Sequence, residues 1–264
     1  MKPYKNEEVF HNSWAKTIEV NKISVNDYFE ACTAPENRLI LQKLGNIKNK
    51  KILEIGCGAG EASVYFAKLG AKVMATDLSD EMLLVAKELA GNNGVSIKTK
   101  KCSATQIDLP SESFDIIYAA NLLHHVDIEK TLHESQRIIK KGGLFVSWDP
   151  LAHNPIINVY RQKASSVRTP NEHPLRISEI EIFRKYFSSI QHETTWLFTQ
   201  LIFIKLFFID RIDPNVERYW KKIIYDHKNL EKLYCRLEKI DKFVLSSFPF
   251  LKKYCWNIII FAQK

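Results

Sequence analysis

The densest chemistry in this 264-residue chain lies between Glu54 and Gly60, where Gly56, Gly58 and Gly60 are spaced by Cys57 and Ala59. An apolar run from Lys51 to Ile55 leads into these glycines and a helical stretch from Ala59 to Leu69 follows, so they stand where a strand becomes a helix. Glycines at that junction let the backbone turn tightly and let a ligand approach where a Cβ would collide. The open N–H groups of the helix start favour an anionic group of a nucleotide-like ligand. Spacing narrows the choice. A dinucleotide fingerprint needs G-x-G-x-x-G; here the third glycine comes one residue early, and Glu61 would set a negative charge beside a pyrophosphate. Glu54 suits a cation instead, because a carboxylate can accept from an ammonium directly or through water. Asp77 closes the next apolar run about twenty residues on, where an acid accepts both ribose hydroxyls. Helix capping is its other reading, although Ser79 and Asp80 can serve that purpose alone.

A second group of reactive side chains follows. The apolar run Phe114 to Asn121 ends in Leu122, Leu123, His124, His125 and Val126. Open α/β sheets place their chemistry at such strand ends, and His125 is a candidate proton acceptor. Asp149 at the end of the next run, and His153, Glu172 and His173 in the segments after it, supply further candidates for a general base. The alternative is structural: Asp149 beside Pro150 as a turn cap, and Arg168, Glu172, His173 and Arg176 as a surface ion-pair network.

The elements that would position these residues alternate from Lys51 onward. Short apolar runs at 51–55, 71–76, 95–100, 114–121 and 144–149 are separated by helical stretches at 59–69, 80–90 and 127–139. That rhythm predicts a parallel sheet covered by helices on both faces. A helical segment up to Gly45 precedes it, with Trp14, Tyr28 and Phe29 available as a lid or as core. Beyond Asp149 come a polar, proline-bearing stretch to Arg176, a capping box at Ser178 to Glu181, and a strand from Ser189 to Leu197. An apolar helical insertion over 198–250 precedes a last strand that runs through Asn257 to Ala262. The division expected is a helical lid, 1–48, and a main domain, 49–264, that includes the insertion.

A ligand with an ammonium and a ribose but no pyrophosphate is S-adenosylmethionine, which also carries a sulfonium. The chain resembles the class I methyltransferases, within the group that includes the ubiquinone and menaquinone methyltransferases, over roughly Lys50 to Trp148. The resemblance implies a Rossmann-like doubly wound seven-stranded sheet of order 3-2-1-4-5-7-6. It assigns Glu54, Gly56, Cys57, Gly58 and Gly60 to the first cofactor motif and Asp77 to the ribose. It sets Leu78 and Met82 beside the adenine, and Asn121 and Leu122 beside the methionine part and the methyl group, with His125 facing the pocket. Family members usually carry an Asp before Ala in the loop after strand three; here Ser103 takes its place, to accept from the adenine amino group, while the Ala104 N–H donates to the ring. The implied product is S-adenosyl-L-homocysteine.

Composition sets bounds. With 45% hydrophobic and 26% charged residues the chain can bury a sizeable core. The net charge of +8 is spread along the length with no basic run or stripe, and no target-base motif is present, so nucleic acid is not the expected partner. The five cysteines are odd in number, without metal-ligand spacing, which predicts reduced thiols, no metal and a cytoplasmic protein. Residues 1–16 have no apolar core of a signal peptide, and Leu201 to Ile209, interrupted by Lys205, is too short to span a bilayer. Oligomeric state is not encoded in any of these features. The expected activity is methyl transfer by in-line displacement to a small, apolar, lipid-like or secondary-metabolite acceptor. The insertion reads as a cap over that acceptor or as a surface that meets membrane peripherally. A cofactor-binding module without turnover is the alternative, and an NAD-dependent oxidoreductase is disfavoured by the early third glycine.

Overall fold

The apolar runs become seven strands: β1 (Lys51–Ile55), β2 (Lys72–Asp77), β3 (Lys98–Lys101), β4 (Phe114–Ala120), β5 (Ile139–Pro150), β6 (Ser189–Thr195) and β7 (Asn257–Gln263). The structure is a computed structural model that describes residues 4–164, 166, 168–169 and 172–264. The sheet order is β3-β2-β1-β4-β5-β7-β6, as the resemblance implies. Strands β1 to β5 pair in parallel, and β7 runs antiparallel between β5 and β6. This order places the ends of β1 and β4 side by side at the centre of one edge, the crevice where doubly wound sheets hold ligands.

Alternate residues of the central strands face opposite layers, which is why their sequences are apolar throughout. Leu53, Ile117 and Phe145 pack into one core, while Ile52, Tyr118 and Val146 pack into another on the opposite face. The second core receives α2 (Val25–Glu30), α3 (Pro35–Leu44), α4 (Glu61–Lys68) and α5 (Asp80–Asn92), and the first receives α6 (Ile128–Ile138). Ahead of these, α1 (Tyr4–Ala15) is tied across the sheet edge by Ser79 Oγ donating to Asn12 Oδ1 at 2.6 Å and by Lys101 to Glu8 at 2.8 Å.

Gly142 and Gly143 lie inside β5. The register shifts between Phe114 and Ile116 opposite them, and a Cβ on Gly143 would stand 2.9 Å from the Asp115 carbonyl oxygen, so the pair forms an irregularity in the strand. The capping box expected at Ser178 to Glu181 falls two residues earlier, with the Arg176 N–H donating to Glu179 Oε2 at 2.7 Å.

After β5 come α7 (Pro155–Lys163), capped by Asn154, and the short α8 (Ile180–Phe183). The region expected as an insertion holds α9 (Leu201–Ile204), α10 (Tyr219–Tyr225) and α11 (His227–Ser247). A third core joins these helices to α7 through Ile157, Phe203, Tyr219, Ile223 and Trp256. Buried Asp241 on α11 accepts from the Leu197, Phe198 and Thr199 N–H groups at 2.5–3.3 Å and so fixes α11 against the chain leaving β6. Among the described residues no helix is long and apolar enough to cross a membrane, and the five cysteines are free thiols.

Gly60 shows how tightly α4 and α5 meet. Its φ is +86°, and a Cβ there would stand 2.6 Å from Ala86 Cβ on α5. The third glycine therefore lets α4 and α5 pack closely. Gly60→Ala should destabilise the protein by about 1–3 kcal/mol through overpacking and the left-handed backbone. Thermal denaturation checks this, and an unchanged midpoint would exclude the contact.

Candidate active site

One cavity runs along the sheet edge from the β1 glycine turn to α7 and α10. At its first end Gly56 (φ +69°) and Gly58 (φ +51°) carry the chain from β1 into α4. A Cβ on Gly56 would meet Leu122 Cδ1 at 2.7 Å, whereas one on Gly58 would meet nothing within 4 Å. Gly56 thus allows the β1 and β4 turns to touch, and Gly58 leaves the space in front of α4 open.

Two buried acids bound this end. Asp77 takes the Gly58 N–H on Oδ2 and the Ser79 N–H on Oδ1, both at 2.9 Å, so it shapes the glycine loop while each oxygen keeps a lone pair for a ribose hydroxyl. Burial raises its carboxyl, opposed by the Ser79 N–H, by His11 and by the Gly58 N–H. Glu54 accepts a short hydrogen bond from the Ser63 hydroxyl. Burial, reinforced by the negative charges of Glu61 and Asp77, pushes the Glu54 carboxyl up to about 8 despite that bond. A cationic ligand is what would stabilise its ionised form.

Leu78, Cys102, Ser103 and Ala104 continue the wall where the adenine is expected. Ser103 Oγ lies 3.0 Å from Thr105 Oγ1, so its hydroxyl has a local partner in place of the usual carboxylate. Met82, expected beside the adenine, does not reach the wall: it is fully buried one turn into α5 and faces the interior. Cys57 lies on the wall with a thiol pushed up strongly by burial.

At the β4 end Asn121 adopts φ +51° and its N–H donates to the Trp148 carbonyl at 2.8 Å, turning Asn121 and Leu122 toward the cavity. His124 and His125 follow with ring centroids 4.0 Å apart. Buried His124 places Nδ1 2.8 Å from Asp149 Oδ1 at the end of β5. Burial holds the His124 imidazolium well below its ordinary range and pushes the Asp149 carboxyl well above its own, so the pair stays poor in charge and fixes the ring. His125 turns its Nδ1 to Thr169 Oγ1 at 3.3 Å and Glu7 Oε2 at 3.5 Å. Burial acts to raise the Glu7 carboxyl, but hydrogen bonds from His125 and Thr169 outweigh it and hold it below the usual range.

The sequence expectations for proton acceptors divide here. His125 and Glu172 line the cavity, while His153 and His173 are exposed and off its wall, a correction to their expected catalytic role. The cause for His173 is backbone geometry: its N–H donates to the His124 carbonyl at 2.9 Å, which docks the strand-like segment and leaves its side chain on the outside. His153 is exposed immediately before Asn154, which turns inward to cap α7. Sequence reading passed over Glu7, Phe10 and His11, which line the cavity from α1 together with Trp14, the lid-or-core candidate. Their i, i+3, i+4, i+7 spacing marks one face of a helix, and that mixed polar and aromatic face was the available signal.

A doubly wound sheet of this order, with a glycine turn after β1 and buried acids on β1 and β2, defines the class I S-adenosylmethionine-dependent methyltransferases. Residues 53–147 match the family model described as a methyltransferase domain. An uncharacterized methyltransferase, YcgJ, of Bacillus subtilis (strain 168) is 28% identical over 144 residues, 53% of this chain and 56% of that protein. A ubiquinone biosynthesis O-methyltransferase of Pelagibacter ubique (strain HTCC1062) is 36% identical over 99 residues, 37% of this chain and 41% of that protein. The chain thus spans about half the length of these curated relatives. The crystal structure of YcgJ superposes with a TM-score of 0.57 at 21% identity, covering 86% of this chain and 97% of that one, a likeness of fold.

Proposed function

We propose that the protein transfers the methyl group of S-adenosylmethionine to a small acceptor held in the same cavity, with S-adenosylhomocysteine as product. The observation that carries this reading is the pair of buried acids, Glu54 and Asp77, on either side of the glycine turn, one fitted to an ammonium and one to a ribose. Residues Gly58, Leu78, Ser103, Asn121 and Leu122 would hold the remainder of the cofactor. The sulfonium activates its methyl carbon, so the protein's task is to align an acceptor about 3 Å from it and to exclude water. The walls supplied by α1, α7 and α10 perform that task with Trp14, Ile157, Tyr160, Trp220 and Ile223, which favour an acceptor with an apolar or aromatic body.

An acceptor that enters protonated needs a base. His124, oriented by Asp149, and His125, held between Glu7 and Thr169, stand at the strand end beside Leu122. Lipophilic character of the acceptor accords with Phe208, Phe243 and Phe250, each exposed by two thirds or more on the outer helical segment, where they would meet a membrane surface peripherally. Incubating the protein with methyl-labelled S-adenosylmethionine and fractionated cell extract tests the reading. Label should move into a small molecule, and it should remain with the cofactor when the Asp77→Ala variant is used. Label confined to protein or RNA would overturn the small-acceptor assignment.

A further inference from the structure

The cavity also gathers three arginines. Arg161 on α7, Arg168 beyond it and Arg218 at the start of α10 all line the wall. Among the described residues one carboxylate, Glu172, serves two of them: Arg161 Nη2 lies 3.1 Å from Glu172 Oε2, and Arg168 makes a short contact with the same oxygen. Arg218 has no carboxylate within ion-pair distance among the described residues; its guanidinium lies 3.8 Å from the ring centre of Trp14. The Arg161 side chain is 11% exposed, and its Nη1 is buried with no hydrogen-bond partner among the described residues.

Resting on the methyl-transfer reading, we propose that the acceptor carries an oxyanion, a phosphate monoester or a carboxylate, seated on Arg161, Arg168 and Arg218. Glu172 is shared by two of the guanidinium groups and Glu7 is engaged by His125, so among the described residues Arg218 keeps no carboxylate and Arg161 Nη1 no acceptor. A buried cation without its counter-charge is unfavourable, and a ligand oxyanion is what removes that penalty. The planar donors of arginine match phosphate and carboxylate oxygens in pairs, and Arg161 Nη1 is a donor still to be used. Burial lowers all three guanidinium groups to about 10, which leaves them charged at neutral pH.

Two other occupants fit less well. His124, His125 and Glu172 each bring a donor atom within 4.8 Å of the others, a spacing that suits a metal ion. Two arginines on Glu172 would repel a cation there. The carboxylate of the cofactor is the second occupant. Lys221, paired with Glu61 at 3.4 Å at the start of α4, is better placed for it.

Calorimetry on the full chain saturated with S-adenosylhomocysteine separates these possibilities with phenyl phosphate, benzoate and neutral benzyl alcohol as probes. At least one anionic probe should bind tenfold or more tightly than benzyl alcohol, and the better of the two distinguishes phosphate from carboxylate. Arg161→Gln and Arg168→Gln should each weaken that anion tenfold or more while S-adenosylhomocysteine affinity stays within threefold. Arg218→Gln breaks no ion pair, so it provides the same test should the other variants fail to fold. Anions that bind no better than benzyl alcohol would overturn the proposal, as would variants that lose anion and S-adenosylhomocysteine in step. Failure of S-adenosylhomocysteine to bind the unaltered protein would instead defeat the methyl-transfer reading itself.

Discussion

Asp77→Ala is expected to lower affinity for S-adenosylhomocysteine at least 100-fold. The carboxylate stands at the end of β2 with Gly58 N–H and Ser79 N–H on its two oxygens, and a ribose diol would take the remaining lone pairs. Hydrogen bonds to a charged acceptor contribute about 1.5–3 kcal/mol each, so the loss of two ribose contacts alone accounts for two or more orders of magnitude. Alanine also orphans the Gly58 N–H, which relaxes the turn that keeps the space before α4 open. Asp77→Asn distinguishes the two effects. It retains one acceptor and can hold one of the two backbone groups, so it should keep more of the thermal midpoint than alanine does while still losing the charge that strengthens the ribose contacts. Calorimetric titration with S-adenosylhomocysteine beside a thermal melt reads both quantities. An alanine variant that melts within 2 °C of the unaltered protein and binds within threefold would remove Asp77 from the ribose site.

The cofactor half of the site was legible in the sequence because its constraints are local. A glycine that must turn at positive φ, an acid at a strand end and an apolar run long enough to be buried are each readable within about ten residues, as Gly56, Gly58 and Asp77 show. The sheet order came from the resemblance rather than from any one run. What escaped reading depends on contacts between distant segments. Gly60 belongs to the α4–α5 contact because Ala86 packs on it, and nothing adjacent to Gly60 announces that. Met82, which the resemblance set beside the adenine, sits where its helix rotates it inward. His153 and His173 lie in a stretch without periodicity, where residue type alone cannot separate a side chain facing the cavity from one facing solvent. Arg161 was recoverable in principle: Ile157, Tyr160 and Arg161 are spaced i, i+3, i+4 on α7, and all three line the cavity. A charged residue on an otherwise apolar helical face is the mark of a wall rather than of core.

The binding of S-adenosylhomocysteine should also strengthen with pH, and Glu54 is the reason. With its carboxyl pushed up to about 8 by burial and by Glu61 and Asp77, Glu54 is mostly protonated at pH 7 in the free protein. The cofactor ammonium favours the ionised carboxylate, so binding expels a proton, and by linkage the affinity climbs by up to about tenfold per pH unit below the free-protein value. Between pH 6.0 and 7.5 the dissociation constant should therefore fall about 10- to 30-fold, then level off near pH 8. Folding stability has the opposite sign in the free protein: a carboxyl raised from 4.5 to about 8 contributes stability below 4.5 that is lost as pH rises toward 8. The gain in melting temperature on adding S-adenosylhomocysteine should consequently widen over the same interval. Glu54→Gln, neutral at every pH, should bind weakly and with a flat profile. Calorimetry in two buffers of different ionisation heat counts the released proton directly. A Glu54→Gln variant that kept the full pH dependence would assign the proton to another group, His11 beside Asp77 being the nearest candidate.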